Sequence, residues 1–154
     1  MMEVFVASVI LPSSREASFD YLCRPANFLK MLPADAAGSL DVKLPPVMER
    51  GGIMEFNVKA WGTNTHIVHE IVDVTLLERI AVKQIKGPFR AWFHEQAFTD
   101  APGGKTLLTN TIHFEPPGGM LGFIVTKNVI HSNLKQWVHH GQDLLRQSLE
   151  ETVA

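Results

Sequence analysis

The sequence predicts an α+β domain in which an antiparallel sheet packs on one long helix at the C-terminal end. Between residues 54 and 114, apolar and polar side chains alternate in short runs that glycine- and proline-containing turns separate. This pattern is typical of half-buried strands joined by hairpins. From residue 120 to about residue 151 there is no proline, and apolar or small residues recur at steps of three and four, as in an amphipathic helix.

The first part of the chain is predicted to form one strand and two short helices. Residues 4–11 are mostly apolar or β-branched, which indicates the first strand. Ser13 and Glu16 have the spacing of a capping box, so we expect Ser13 to cap a helix over about residues 14–22. Pro25 suits the first turn of a second short helix.

The middle of the chain is predicted to complete the sheet. Its strands are any extended segment between Leu40 and Leu44, then residues 54–60, 65–74, 79–85, 91–98 and 106–114. Tight turns join successive strands, which implies antiparallel pairing. The expected order is β-α-α-β6-α, with about seven strands in all. The long C-terminal helix is the only element large enough to cover the apolar face of this sheet.

Composition is consistent with one globular domain over residues 1–154. The chain has 154 residues, of which 45% are hydrophobic and 19% charged, so it can bury a sizeable core. Its formal net charge is -2, and the basic residues are scattered along the sequence. A nucleic-acid partner is therefore not expected.

The sequence also favours a cytoplasmic location. Residues 1–11 contain Glu3 and no basic segment, which favours a strand over a signal peptide. No apolar run approaches the about 20 residues that span a bilayer, so stable membrane insertion is not expected. Cys23 is the single cysteine, which excludes an intramolecular disulfide, and its apolar neighbours favour a buried structural thiol.

Four local features, in this order along the chain, carry a resemblance to a known superfamily. They are Ser8-Val9-Ile10 before a helix that ends Phe19-Asp20-Tyr21-Leu22; Pro25-Ala26-Asn27-Phe28 with Leu32-Pro33; Gly87-Pro88-Phe89 with Trp92-Phe93-His94 and Phe98; and Thr106 to Phe114 with Pro116-Pro117-Gly118-Gly119 and Leu121-Gly122. With these features the chain resembles the START/Bet v 1-like (SRPBCC) superfamily, and within it the bacterial proteins often labelled polyketide cyclase/dehydrase-like. The resemblance covers nearly the whole chain.

The resemblance implies a helix-grip fold, in which a curved antiparallel sheet wraps around the long C-terminal helix. It also implies a cavity between sheet and helix for a lipid, a polyketide or another apolar molecule. It does not imply one function, because members of the superfamily include carriers, sensors, chaperone co-regulators and a few enzymes.

No motif in the sequence predicts a metal, a cofactor or a catalytic centre. His66 and His69 are three apart on a strand and therefore point to opposite faces. His139 and His140 are adjacent on a helix, about 100° apart, which suits joint metal binding poorly. The chain has no HExxH, CxxC or GxSxG pattern and no convincing pair of carboxylates. Catalytic residues stay unassigned, and whether the protein is an enzyme is left open.

Four polar residues fall on predicted inward faces: His69, His94, Gln96 and Asn110. They either orient a ligand inside an apolar pocket or satisfy one another in the core. His94 also has a third interpretation as an acid/base group. Gly141 lies in the apolar stripe of the long helix, where it either leaves room for a ligand or lets a strand approach closely.

The sequence favours a protein that binds a small hydrophobic ligand, with no cofactor. The predicted pocket residues are Phe56, Val58, His69, Ile71, Trp92, His94, Gln96, Asn110, Ile112, Leu134, Trp137, Val138 and Gly141. The exposed side of the long helix is predicted to carry Lys127, Lys135, Gln136, Gln142 and Arg146.

Two alternatives and one partner remain open from the sequence. The first alternative is a cyclase- or dehydratase-like enzyme that moves a proton with His94 or His69. The second is a protein-interaction module whose core is filled. An apolar patch that includes Phe93, Phe123 or Trp137 on the outside would indicate a homodimer.

Overall fold

The fold is an antiparallel sheet with a long helix packed on it, and the computed structural model describes residues 2–30, 43–60, 63–119, 122 and 125–153. The described elements are β1 (Glu3–Leu11), α1 (Arg15–Leu22), α2 (Pro25–Lys30), β2 (Ile53–Ala60), β3 (Thr63–Thr75), β4 (Arg79–Lys86), β5 (Ala91–Ala101), β6 (Lys105–Glu115) and α3 (Lys127–Val153). No helix in this described part is long and apolar enough to cross a bilayer.

The sheet has the spatial order β1-β6-β5-β4-β3-β2, and every neighbouring pair is antiparallel. This confirms the predicted α+β class. The described residues contain six strands, against the about seven expected. The extra strand was expected between Leu40 and Leu44, which lies mostly outside the described residues. At its described end, Lys43 forms an isolated antiparallel bridge with Glu55.

Helix α1 begins one residue later than the predicted capping box implies. Ser14 is the N-cap, and its Oγ accepts a hydrogen bond from the backbone N–H of Ala17 at 3.2 Å. Ser13 is buried instead, and its carbonyl accepts a hydrogen bond from the Thr106 hydroxyl at 2.8 Å. The expectation that Ser13 caps the helix was wrong, because this residue joins the chain to β6.

Helix α3 starts at Lys127, later than the predicted residue 120. The Thr126 hydroxyl accepts from the N–H of Val129 at 3.4 Å, and the Thr126 carbonyl accepts from the N–H of Ile130 at 3.0 Å. Thr126 thus has the bonding of an N-cap and sets the start of the helix. The 27 residues of α3 span about 40 Å at 1.5 Å per residue.

Strands β1 and β6 bury alternate side chains, as the period of two predicts, whereas β4 buries Ile80, Ala81 and Val82 in succession. On β6, every second residue from Thr106 to Phe114 is buried. On β1 the outward side chains of Val4, Val6 and Ile10 are about half exposed. The inner faces of the strands therefore form one wall of the core, and α3 packs mainly on β1 at one side of that wall.

The core divides into two apolar clusters. The larger one contains Leu11, Phe19, Leu22, Cys23, Met48, Met54, Phe56, Ile67, Ile71, Ile80, Val82, Phe98, Leu108, Leu145 and Leu149. The smaller one contains Ile112, Phe114, Val125, Ile130 and Leu134. The ring of His131 on α3 lies edge-on to Phe114, with 5.2 Å between ring centroids, and helps hold the start of the helix against the sheet.

Candidate functional site

A cavity of about 120 Å³ lies between the two apolar clusters of the core. The sheet contributes Trp92, His94 and Gln96 from β5 and Leu108, Asn110 and Ile112 from β6. Helix α3 contributes Leu134, Trp137, Val138, Gly141, Gln142 and Leu145. Because α3 packs mainly on β1, space remains where the helix passes over the next two strands.

The spacing of the lining residues along the sequence explains why they share one face of the sheet and one face of α3. The residues from each strand are two apart, so their side chains leave the same face of the sheet. The residues from α3 follow steps of three and one, which keeps them on one stripe of a helix. The wall is mainly apolar, and its polar groups are concentrated on β5, β6 and one position of α3.

A hydrogen-bonded group occupies the strand wall. Asn110 Oδ1 accepts from Gln96 Nε2 at 3.3 Å and lies 2.9 Å from His94 Nε2. Since that amide oxygen is an acceptor, His94 donates from Nε2 and its Nδ1 is left as an acceptor. The two lone pairs of Asn110 Oδ1 are thereby both used. This arrangement matches the interpretation in which inward polar residues satisfy one another for His94, Gln96 and Asn110, whereas His69 Nδ1 has no hydrogen-bond partner among the described residues.

The buried His69 and the partly buried His94 are both neutral at pH 7. Burial lowers the pKa of His94, although the hydrogen bond to Asn110 and the charge of Glu95 act in the opposite direction. Burial, with a smaller electrostatic contribution from the nearby His94, lowers the pKa of His69 to about 3. No Lys, Arg, Asp or Glu occurs among the described residues that line the cavity. The wall is therefore uncharged under ordinary conditions.

Two polar donors on the wall have no hydrogen-bond partner among the described residues. They are the side-chain nitrogen of Gln142 on α3 and the indole nitrogen of Trp92 on β5. Gln142 is only 6% exposed. A buried donor without a partner costs about 1–3 kcal/mol, so such a group is a candidate for contact with a bound molecule.

Most of the predicted pocket residues meet at this cavity. Those on its wall are Trp92, His94, Gln96, Asn110, Ile112, Leu134, Trp137, Val138 and Gly141. The others, Phe56, Val58, His69 and Ile71, lie in or against the larger apolar cluster and do not line this cavity. His69 packs edge-on against the Phe56 ring, with 5.3 Å between ring centroids. The assignment of all these residues to ligand binding stays a prediction.

Three residues that line the cavity were not among the predicted pocket residues: Leu108, Gln142 and Leu145. For Gln142 the prediction was wrong, because the residue was placed on the exposed side of the helix and is buried. A signal was present: Gln142 lies four residues after Val138 and eight after Leu134, on the same stripe of the helix. The prediction gave more weight to the polarity of the Gln142 side chain than to its position on this stripe.

The other histidine and cysteine residues considered in the sequence for chemical roles lie outside the cavity. His66 Nε2 lies 2.9 Å from a carboxylate oxygen of Glu55 on the face of the sheet opposite His69. Burial raises the pKa of the Cys23 thiol to about 11, which keeps it protonated. The described residues contain no group of three or more His, Cys, Asp or Glu side chains that could hold a metal ion.

The residues named for a dimer patch do not form one within the described part of the chain. Trp137 is on the cavity wall. Phe93 is partly buried, with its ring 6.1 Å from the His113 ring and 5.9 Å from the Arg79 guanidinium carbon. Phe123 lies outside the described residues. A homodimer stays a prediction.

Comparison with known proteins identifies the fold. No protein-family model and no curated protein sequence matches the chain. Among solved structures, the ZhuI aromatase/cyclase from Streptomyces sp. R1128 is 13% identical, with a TM-score of 0.81 over 100% of this chain and 97% of that one. Ara h 8.0201 is 11% identical, with a TM-score of 0.71 over 98% and 99% of the two chains.

One half of a two-domain protein has the same architecture. The di-domain ARO/CYC StfQ from the steffimycin biosynthetic pathway is 13% identical, with a TM-score of 0.77 over 99% of this chain and 52% of that one. The chain thus has the helix-grip fold of these structures, as the sequence resemblance implied. At identities this low, the structural similarity establishes the fold but not the function, which has to be argued from the site.

Proposed function

We propose that this protein binds a small hydrophobic molecule in the cavity between β5, β6 and α3. The observation that carries the proposal is the cavity itself, which has a mainly apolar wall and interrupts an otherwise packed core. Protein interiors normally contain few voids larger than a water molecule. A fully enclosed empty cavity of about 120 Å³ would cost about 3 kcal/mol at about 24 cal/mol per Å³, and because this cavity is partly open the cost is smaller.

The volume limits the size of the bound group. A dry engineered cavity of about 150 Å³ in another protein holds benzene. The present cavity, about 120 Å³, therefore suits one six-membered ring or a similar aliphatic group. The structural similarity to two aromatase/cyclases supports a ligand that contains rings. A longer ligand would place one ring here and extend toward solvent.

Two measurements test the binding proposal. Native mass spectrometry of protein purified without detergent should show an added mass that is lost on denaturation and can be extracted and identified. Toluene added to the ligand-free protein should raise its melting temperature, because a ligand at one hundred times its Kd stabilises by about 2.7 kcal/mol. If the protein carries no added mass and toluene does not raise its melting temperature, the proposal is refuted and the interaction module with a filled core is favoured.

A second candidate function is a cyclase- or dehydratase-like enzyme, and His94 is the observation that favours it. Its neutral imidazole lies on the cavity wall, and the hydrogen bond to Asn110 keeps Nδ1 as an acceptor. Such a group can take a proton from a bound substrate. His69, the other proposed acid/base group, is not on this wall and does not support the role.

Turnover separates the enzyme from the binding protein. Once a ligand has been extracted, it or its precursor is incubated with the wild type and with His94→Ala. An enzyme would change the substrate mass, for example by one water, and the variant would bind without converting it. A ligand that leaves the wild type unchanged in mass supports binding alone.

A further inference from the structure

The wall of the cavity restricts the charge of what can bind. Among its described residues none is ionised at pH 7, because His94 is neutral and the remaining side chains are apolar, amide or indole groups. An ion that enters such a site loses its hydration without gaining a counter-charge. This wall therefore disfavours a charged group.

The amide of Gln142 adds a requirement for a polar atom. It is 6% exposed, lies on the cavity wall, and its nitrogen has no hydrogen-bond partner among the described residues. Asn110 Oδ1 on the opposite wall already receives the protons of His94 and Gln96, so it cannot also serve Gln142. Gly141, the neighbour of Gln142, has no side chain to cover the wall at this point.

From these observations we infer that the cavity selects uncharged one-ring compounds that carry a hydrogen-bond acceptor, such as an aryl carbonyl, and that the Gln142 amide donates to this acceptor. The inference rests on the proposed function, since it names the class of ligand for the same cavity. It assigns to Gln142 the role of a specificity-determining residue.

Three compounds of similar size test the ligand class. Toluene has no acceptor, acetophenone has a carbonyl acceptor, and benzoate is an anion at pH 7. Their Kd values are measured with the full chain by calorimetry or by ligand-observed NMR. A net hydrogen bond of about 0.5–1.5 kcal/mol predicts that acetophenone binds about two- to tenfold more tightly than toluene. Benzoate should bind at least about tenfold more weakly than either neutral compound.

Variants test the residue. Gln142→Met keeps a side chain of similar length, removes the donor and should abolish the advantage of acetophenone over toluene. Gln136→Met makes the same change on the exposed side of α3 and should leave the advantage intact. Trp92→Phe removes the other unpartnered donor on the wall, so comparing it with Gln142→Met shows which of the two donors serves the acceptor. Toluene binding in each variant reports that the cavity is still formed.

Different outcomes would contradict the ligand class, the role of Gln142 and the proposed function. Equal affinities of acetophenone and toluene in the wild type, or benzoate binding as tightly as they do, would overturn the inference and leave the proposed function standing. An advantage that survives Gln142→Met, or one that Trp92→Phe abolishes, would overturn the assignment to Gln142. If none of the three compounds binds, the proposed function itself fails.

Discussion

Filling the cavity from α3 should stabilise the protein and block ligand binding. Gly141 is buried, lies within the helix and lines the cavity, so Gly141→Leu would direct an aliphatic side chain into that space. Filling the space contributes at most about 3 kcal/mol, which is the value for a fully enclosed cavity of about 120 Å³, whereas this cavity is partly open. Replacing a mid-helix glycine adds about 1 kcal/mol, and overpacking subtracts about 1–3 kcal/mol.

The expected net gain for Gly141→Leu is therefore at most about 1–3 kcal/mol in the free energy of unfolding. For a domain of this size each kcal/mol raises the melting temperature by about 2–4 °C, so the melting temperature should rise by no more than about 12 °C. Urea unfolding and calorimetry measure both quantities. Toluene should then no longer raise the melting temperature of the variant.

Two further variants make the result decisive. His140→Leu adds the same side chain on the exposed side of α3 and should change neither stability nor toluene binding appreciably. Gly141→Ala should stabilise by about 1 kcal/mol through helix propensity alone. If both Gly141 variants destabilise the fold by more than about 2 kcal/mol, the glycine is closely packed and the reasoning from free space is refuted.

Three other predictions follow from the structure. Asn110→Leu should destabilise by about 2–4 kcal/mol in urea unfolding, because it leaves His94 and Gln96 as buried donors without an acceptor; an unchanged midpoint would contradict the hydrogen-bonded group. Thr126→Ala should cost about 1 kcal/mol and lower helicity by circular dichroism, through loss of the N-cap; full retention of both would remove Thr126 from that role. Stability should fall as the pH drops below about 6.5, because the pKa of His69 is lowered to about 3 in the folded state and the unfolded chain binds the proton first. His69→Phe should flatten this fall in pH-dependent unfolding, and a slope identical to that of the wild type would argue against a buried neutral His69.

The faces of the strands could be predicted because they depend only on local geometry. Successive side chains of a strand alternate between faces whatever lies across from them. His94, Gln96 and Asn110 were therefore placed inward correctly, and His66 and His69 on opposite faces. The amphipathic helix followed from the same kind of argument, since a stripe at steps of three and four must find an apolar surface.

At two positions, predictions made from side-chain type alone were wrong. Ser13 and Ser14 both suit an N-cap, and only the contact of Ser13 with Thr106 on β6 decides that Ser14 caps α1. Gln142 lies on the inward stripe of α3, yet its polarity suggested an exposed position. For Ser13 and Ser14 a contact between residues distant in the sequence determines the outcome, whereas for Gln142 the position on the stripe was already visible in the sequence.

The sequence by itself determined the class of fold, the order of its elements and the side of each element that faces inward, because periodicity and turn residues act over a few neighbours. Only the tertiary structure decided where along those inward faces free volume remains. Ile71 and Ile112 are equally apolar and equally inward, yet one lies in the larger apolar cluster and the other lines the cavity. The difference arises because α3 packs mainly on β1 and leaves space over β5 and β6. The distance between α3 and these two strands depends on the packing of all the elements together.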